Sequence, residues 1–148
     1  MKLSKKSRYG LRALVDLAAT SKSDQVALNS IAERNNISPQ YLEHIFASLR
    51  RAGIVKSIKG PQGGYLLNRP PEDITISDIL EALEGDYRMD DEIVSEDCQC
   101  SGIAVSIQKL LIDQVNEKLD DLLTNLTLAT LEKDYMDFNK YNQDMYYI

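Results

Sequence analysis

One stretch constrains this chain more than any other: residues 30–66, SIAERNNISPQYLEHIFASLRRAGIVKSIKGPQGGYL. Ile31, Ala32, Ile37, Leu42, Ile45 and Leu49 recur at the spacing of two short helices packed through apolar faces. Between them Ser38 is an N-cap. Pro39 takes the first helical position, where the N–H it lacks would have had no partner. The second helix then presents Gln40, Tyr41, Glu43 and His44 on its first turns, and such side chains hydrogen-bond base edges and phosphates. Gly53 stands where a helix end takes glycine. Beyond it, residues 54–58 and 65–67 are apolar and flank a glycine-rich tip carrying Lys59. Two short strands around such a tip make a hairpin wing. The expected fold is mainly α with a small β-hairpin wing: a winged helix-turn-helix domain plus a long dimerisation helix. A helical pair followed by an unrelated hairpin is the bland alternative. The basic hairpin directly after the helices favours DNA.

Charge divides along the chain. The net charge of −6 at pH 7 hides a basic first half. Residues 1–70 hold 12 Lys+Arg against 4 Asp+Glu, or +8, and residues 71–148 hold 5 against 19, or −14. A basic half bearing the helix-turn-helix and an acidic half without one suit a DNA reader with a second function, docking through one face. A hydrophobic content of 43% in 148 residues suffices for one domain and an extension. No apolar run reaches membrane-spanning length, and MKLSKKSRYG has no apolar segment of signal-peptide type behind it, so a cytoplasmic location is expected.

Taken in order, residues 5–20 read as an amphipathic helix with Lys2, Lys5, Lys6, Arg8 and Arg12 gathered at its start. These cations are either a solvated basic end or a phosphate clamp beside the recognition helix. Residues 26–28 read as extended, with Asn29 or Ser30 capping the next helix. ITISDILEALEG reads as a helix capped by Thr75 or Ser77, with Ile79, Leu80 and Leu83 inward and Gly85 ending it. Residues 86–97 are acidic with few apolar side chains and read as a mobile loop. Residues 101–126 read as the longest helix, carrying Ile107, Leu111, Val115, Leu119, Leu122 and Leu126 as one stripe. That stripe is expected against the same helix of a second subunit, since two recognition helices about one DNA turn apart read a palindrome. A further short helix is expected from Thr127, then an aromatic tail ending Met145-Tyr146-Tyr147-Ile148. The organisation expected is 1–85 for DNA binding, 86–100 for the acidic loop, and 101–148 for the dimerisation helix and tail.

MKLSKKSRYGLRALVDLA, the stretch above and ITISDILEALEG together resemble the bacterial Rrf-type winged-helix transcription regulators, over roughly residues 1–130. The resemblance implies a homodimer crossed through the long helix and bound to palindromic double-stranded DNA. The recognition helix would enter the major groove and the wing tip the minor groove. Lys59 stands where many members carry arginine, and a lysine lacks the planar fork of a guanidinium. The candidate DNA-binding set is Lys2, Lys5, Arg8, Tyr9, Ser38, Gln40, Tyr41, Glu43, His44, Arg50, Lys59, Gly60, Pro61 and Gln62.

Some members of the family carry an iron–sulfur cluster on a larger set of loop cysteines. This chain has only Cys98 and Cys100, whereas clusters usually take three or four thiolates, so no cofactor is expected. The two cysteines read as idle loop thiols, as a redox sensor, or as metal ligands. The acidic neighbours Glu96 and Asp97 disfavour thiolate. The tail is similar to that of the cysteine-metabolism repressors, a group without cluster cysteines that acts with cysteine synthase. Tyr147 and Ile148 are therefore candidate partner-binding residues, through capture of a terminal carboxylate. A tail folded on its own dimer is the alternative.

Enzyme chemistry finds no support. The one histidine sits on the recognition helix, and the glycines of the wing lack the Lys-Ser/Thr ending of a phosphate loop. The expected function is a homodimeric DNA-binding regulator, a repressor, of sulfur, cysteine or iron–sulfur metabolism. The alternatives are a module that regulates an enzyme such as cysteine synthase, and a redox or cluster sensor using Cys98 and Cys100.

Overall fold

A computed structural model of the chain describes residues 2–97 and 99–146. Helix α1 (Lys5–Thr20) starts at Ser4, whose hydroxyl oxygen accepts from the Ser7 amide. Helix α2 (Leu28–Asn35) ends at Asn36 in the left-handed region, φ 54°. Helix α3 (Pro39–Arg51) starts as expected: the Ser38 hydroxyl oxygen accepts from the Tyr41 amide at 3.2 Å. Strands β1 (Val55–Ile58) and β2 (Gly64–Leu67) pair antiparallel, with Val55 opposite Leu67 and Ile58 opposite Gly64. Helix α4 (Ile76–Glu84) carries a reciprocal cap, in which Thr75 and Asp78 each satisfy the other's backbone amide.

These elements share one core. Leu14 and Leu17 of α1, Ile31 of α2, Leu42, Ile45, Phe46 and Leu49 of α3, and Ile79 of α4 are fully buried. Each such side chain contributes about 1.5–3 kcal/mol on burial. Gly10 lets α4 approach α1, because a Cβ there would run into Leu83 Cδ1. The wing is anchored from outside the hairpin. Val26 and Tyr65 exchange both backbone hydrogen bonds, at 3.0 and 2.8 Å, so residue 26 acts as a third strand. Gly64 makes this contact fit, since any side chain there would strike the Val26 carbonyl.

The second half comprises α5 (Ser101–Ile107), a π-helical turn (Gln108–Ile112), α6 (Asp113–Asn125) and α7 (Leu128–Tyr146). Leu126 leaves the helix in an extended conformation, and its carbonyl accepts from the Ile76 amide at 2.9 Å. The Leu128 amide donates to the Ile74 carbonyl at 2.8 Å, which locks this junction to the start of α4. Leu128 is fully buried in the common core.

Five local expectations are corrected. Helix α2 starts one residue before Asn29, on Ala27, which offers no side-chain cap, so neither Asn29 nor Ser30 caps it. The helix expected over residues 101–126 is interrupted by the π turn, which inserts an extra residue and shifts the faces on either side. The leucine stripe is accordingly divided. Ile107, Leu111 and Leu122 stand exposed, and Val115 is half-buried. Leu119 and Leu126 pack on the chain's own core. The short helix expected from Thr127 is 19 residues long, because Leu128 and Leu131 tie its first turns to the core. The acidic loop is pinned at its start. Tyr87 is buried, and Asn116 bonds both the amide and the carbonyl of Met89, at 2.9 and 3.1 Å.

Candidate nucleic-acid interface

Helix α3 buries Leu42, Ile45, Phe46 and Leu49 and thereby turns Gln40, Glu43, His44 and Arg50 to solvent. The helical period alone decides this: residues 40, 43 and 44 lie opposite residues 42, 45 and 49. Tyr41 is half-buried instead. Its ring meets the Tyr9 ring of α1 edge to face, with centroids 5.8 Å apart. Two cations sit over the same Tyr9 ring, Lys5 Nζ at 5.3 Å and Arg12 Cζ at 5.4 Å from its centroid. The tyrosine pair thus joins the basic stripe of α1 to the first turn of α3.

The other basic residues are placed differently. Lys2 and Arg8 are exposed, and Arg8 Nε donates to the Leu3 carbonyl at 3.2 Å. Lys6 points away from this edge, its ammonium donating to Ser48 Oγ at 3.2 Å at the base of α3. The N-terminal arm is held by Glu84, which accepts from the Ser4 amide at 2.7 Å. Burial pushes the Glu84 carboxyl up, but hydrogen bonding with Ser4 helps to outweigh it and leave the group below its ordinary value.

In the wing, Lys59, Gly60, Pro61 and Gln62 are all exposed, and the Gly63 amide closes the tip onto the Gly60 carbonyl at 2.9 Å. Lys59 and Arg50 line one shallow groove with Asn29, between the wing and the start of α2. Exposed residues of α1, α3 and the wing therefore offer polar and cationic groups on elements fixed to one core. Ser38 is exposed, but its oxygen is engaged as the α3 cap.

Sequence reasoning missed the cluster that fastens α6 to α4 and the segment after it. Tyr87 OH donates to Asp120 Oδ1 at 2.6 Å and lies 3.1 Å from Ser77 Oγ. Arg88 pairs with Asp120, and with Asp86 and Glu81 nearby. The one available signal was a tyrosine, an arginine and a methionine at the start of an otherwise acidic run.

Residues 3–134 match the family described as Rrf2, iron-dependent transcriptional regulator. The chain belongs to the Rrf2 family. The HTH-type transcriptional regulator IscR of Vibrio campbellii is 36% identical over 138 residues, covering 90% of this chain and 79% of that protein. Among solved structures, CymR, the global cysteine regulator of B. subtilis, superposes with a TM-score of 0.74 at 37% identity, covering 90% of this chain and 97% of CymR. IscR of T. potens superposes with a TM-score of 0.71 at 39% identity, covering 91% and 88%. An Rrf2 chain with this architecture, a helix-turn-helix followed by a two-stranded wing, is a DNA-binding transcription regulator and not an enzyme. No described helix is long and apolar enough to cross a membrane.

The description of the Rrf2 family as iron-dependent makes the donor set worth testing. The chain has two cysteines and one histidine. Cys98 lies outside the described residues. Cys100 is exposed at the start of α5. His44 belongs to α3. Among the described residues, no group of three or more His, Cys, Asp or Glu side chains is placed to hold a metal ion. These donors do not fit a cluster of the usual kind. Tyr147 and Ile148, the candidate partner-binding residues, also lie outside the described residues.

Proposed function

We propose that this Rrf2 regulator is a cytoplasmic homodimer that represses genes of sulfur and cysteine metabolism by binding a palindromic operator. The observation that carries the DNA-reading part is the exposed face of α3, Gln40, Glu43 and His44, between the cation-bearing Tyr9–Tyr41 pair and Arg50. In this reading α3 reads base edges in the major groove. Lys2, Lys5 and Arg8 hold phosphates, and the tip at Lys59–Gln62 enters the minor groove. Residues 1–85 form the DNA-binding unit and residues 101–148 carry dimerisation and the tail. The exposed Ile107, Leu111 and Leu122 support a subunit contact, since single chains rarely leave such a run uncovered. The sulfur assignment is supported by the likeness to a global cysteine regulator and by the thin cluster-ligand set.

Selection of duplexes from a random pool, followed by titration across salt, tests this. The expected result is one palindrome bound with a log–log salt slope of several units, about −0.9 per phosphate contact. Binding with no preferred sequence would overturn the operator reading. If cysteine synthase is the signalling partner, adding that enzyme shifts the operator affinity, and deleting Tyr147 and Ile148 abolishes the shift.

A further inference from the structure

The grip on the wing does not stop at the Val26–Tyr65 bridge. One residue earlier, Gln25 Nε2 donates to the Gln62 carbonyl at 2.7 Å. Gln62 belongs to the tip itself, in the turn closed by the Gly63 amide on the Gly60 carbonyl. The strand pairing ends at Ile58 and Gly64, so the hairpin ladder does not hold the tip against the body of the protein. Gln25 follows α1, and Ala27 immediately precedes α2, so the segment that holds the wing also joins the first two helices. The tip turns at a positive-φ glycine, Gly60, and has no ladder of its own, which leaves backbone freedom for a further bond to restrict. A side-chain amide fixed to its backbone removes much of that freedom before DNA arrives.

We propose that Gln25 is a positioning residue for DNA reading: its hydrogen bond to Gln62 sets the pose in which Lys59 and the wing tip meet the minor groove. This rests on the wing-in-groove reading above. Gln25 touches no base in this scheme and acts only through the tip. The bond is a neutral donor on a backbone acceptor, so its loss weakens binding by about 2–10-fold, and only through wing contacts.

The test is a double-mutant cycle on the full-length protein, using the duplex selected by the unaltered protein. Gln25→Met keeps the length of the side chain and removes the donor. Lys59→Ala removes the wing cation, and both are combined. Melting temperature, affinity across salt and hydroxyl-radical protection of the minor groove are measured for each. The expected result is an unchanged melting temperature for Gln25→Met, weaker minor-groove protection, and a double variant close to Lys59→Ala alone. Additive losses, or full protection with Gln25→Met when Lys59→Ala loses it, overturn the role of Gln25 and leave the wing reading intact. Protection unaltered by Lys59→Ala overturns the wing reading, and the inference falls with it. Should Gln25→Met melt early, Gln25→Leu, also uncharged and without the donor, replaces it in the cycle with the same criteria.

Discussion

Arg88 and Asp120 meet across 32 residues of chain, with Nη2 2.8 Å from Oδ1 and Nε 3.0 Å from Oδ2. The pair ties the segment after α4 to the middle of α6. Hydrogen bonds from Arg88, and then from Tyr87, hold the Asp120 carboxyl below its ordinary value of 3.8. Burial opposes this without reversing it.

The direction of the resulting pH dependence follows from linkage. A carboxyl depressed in the folded state stabilises fully above its unfolded value and ceases to do so as pH falls through its folded one. The melting temperature of the unaltered protein should therefore exceed that of Asp120→Asn at pH 7. The gap should close as pH falls below 3.8. The pair is partly open to solvent, so the gap is expected to be small. A gap that widens on acidification would contradict the assignment.

Gly10→Ala should destabilise despite alanine's better helix propensity. The propensity gain is about 1 kcal/mol. Against it, the new methyl would collide with Leu83 Cδ1 and sit 3.3 Å from Ile45 Cγ2, both buried. Overpacking of this kind costs about 1–3 kcal/mol, so a net loss of up to about 2 kcal/mol is expected. Thermal or urea melts measure it. A higher midpoint would mean that α1 and α4 are not in close contact.

Specificity and affinity should separate. Glu43→Ala should relax base preference at one operator position while keeping affinity for unrelated DNA. Lys59→Ala should weaken all sequences alike and lower the salt slope by about 0.9. Competition titrations against operator variants distinguish them, and a Glu43→Ala protein with unaltered preference would remove Glu43 from the reading set.

The divided leucine stripe separates assembly from folding. Leu110 is 71% exposed and Leu111 50%, so Leu110→Lys with Leu111→Lys should yield a folded monomer that binds a half-site weakly. Leu119→Ala should instead lower the melting temperature, because Leu119 packs on the chain's own core. Sedimentation with circular dichroism reads both. A doubly substituted protein that remains dimeric would place the subunit contact elsewhere.

By itself the sequence determined whatever is decided within a few residues. Ser38 and Pro39 could be read as a helix start because a cap bonds a backbone amide three residues on. The α3 period sorted Gln40, Glu43 and His44 from Leu42 and Ile45, and the glycines of the tip marked the hairpin. Thr75 and Ser77 both stood as caps for α4 in the sequence, and the structure uses Thr75. Only the tertiary structure decided what depends on partners far along the chain. Gln25 finds Gln62, Arg88 finds Asp120, and Asn116 finds Met89 only after the helices have packed. An apolar stripe over residues 107–126 shows that a face is to be covered but not by what. Its division followed from a π turn and from a junction bonded to Ile74 and Ile76, neither of which has a local signature. Periodicity and capping are properties of a single helix, whereas register and docking are set by surfaces that the complete core brings together.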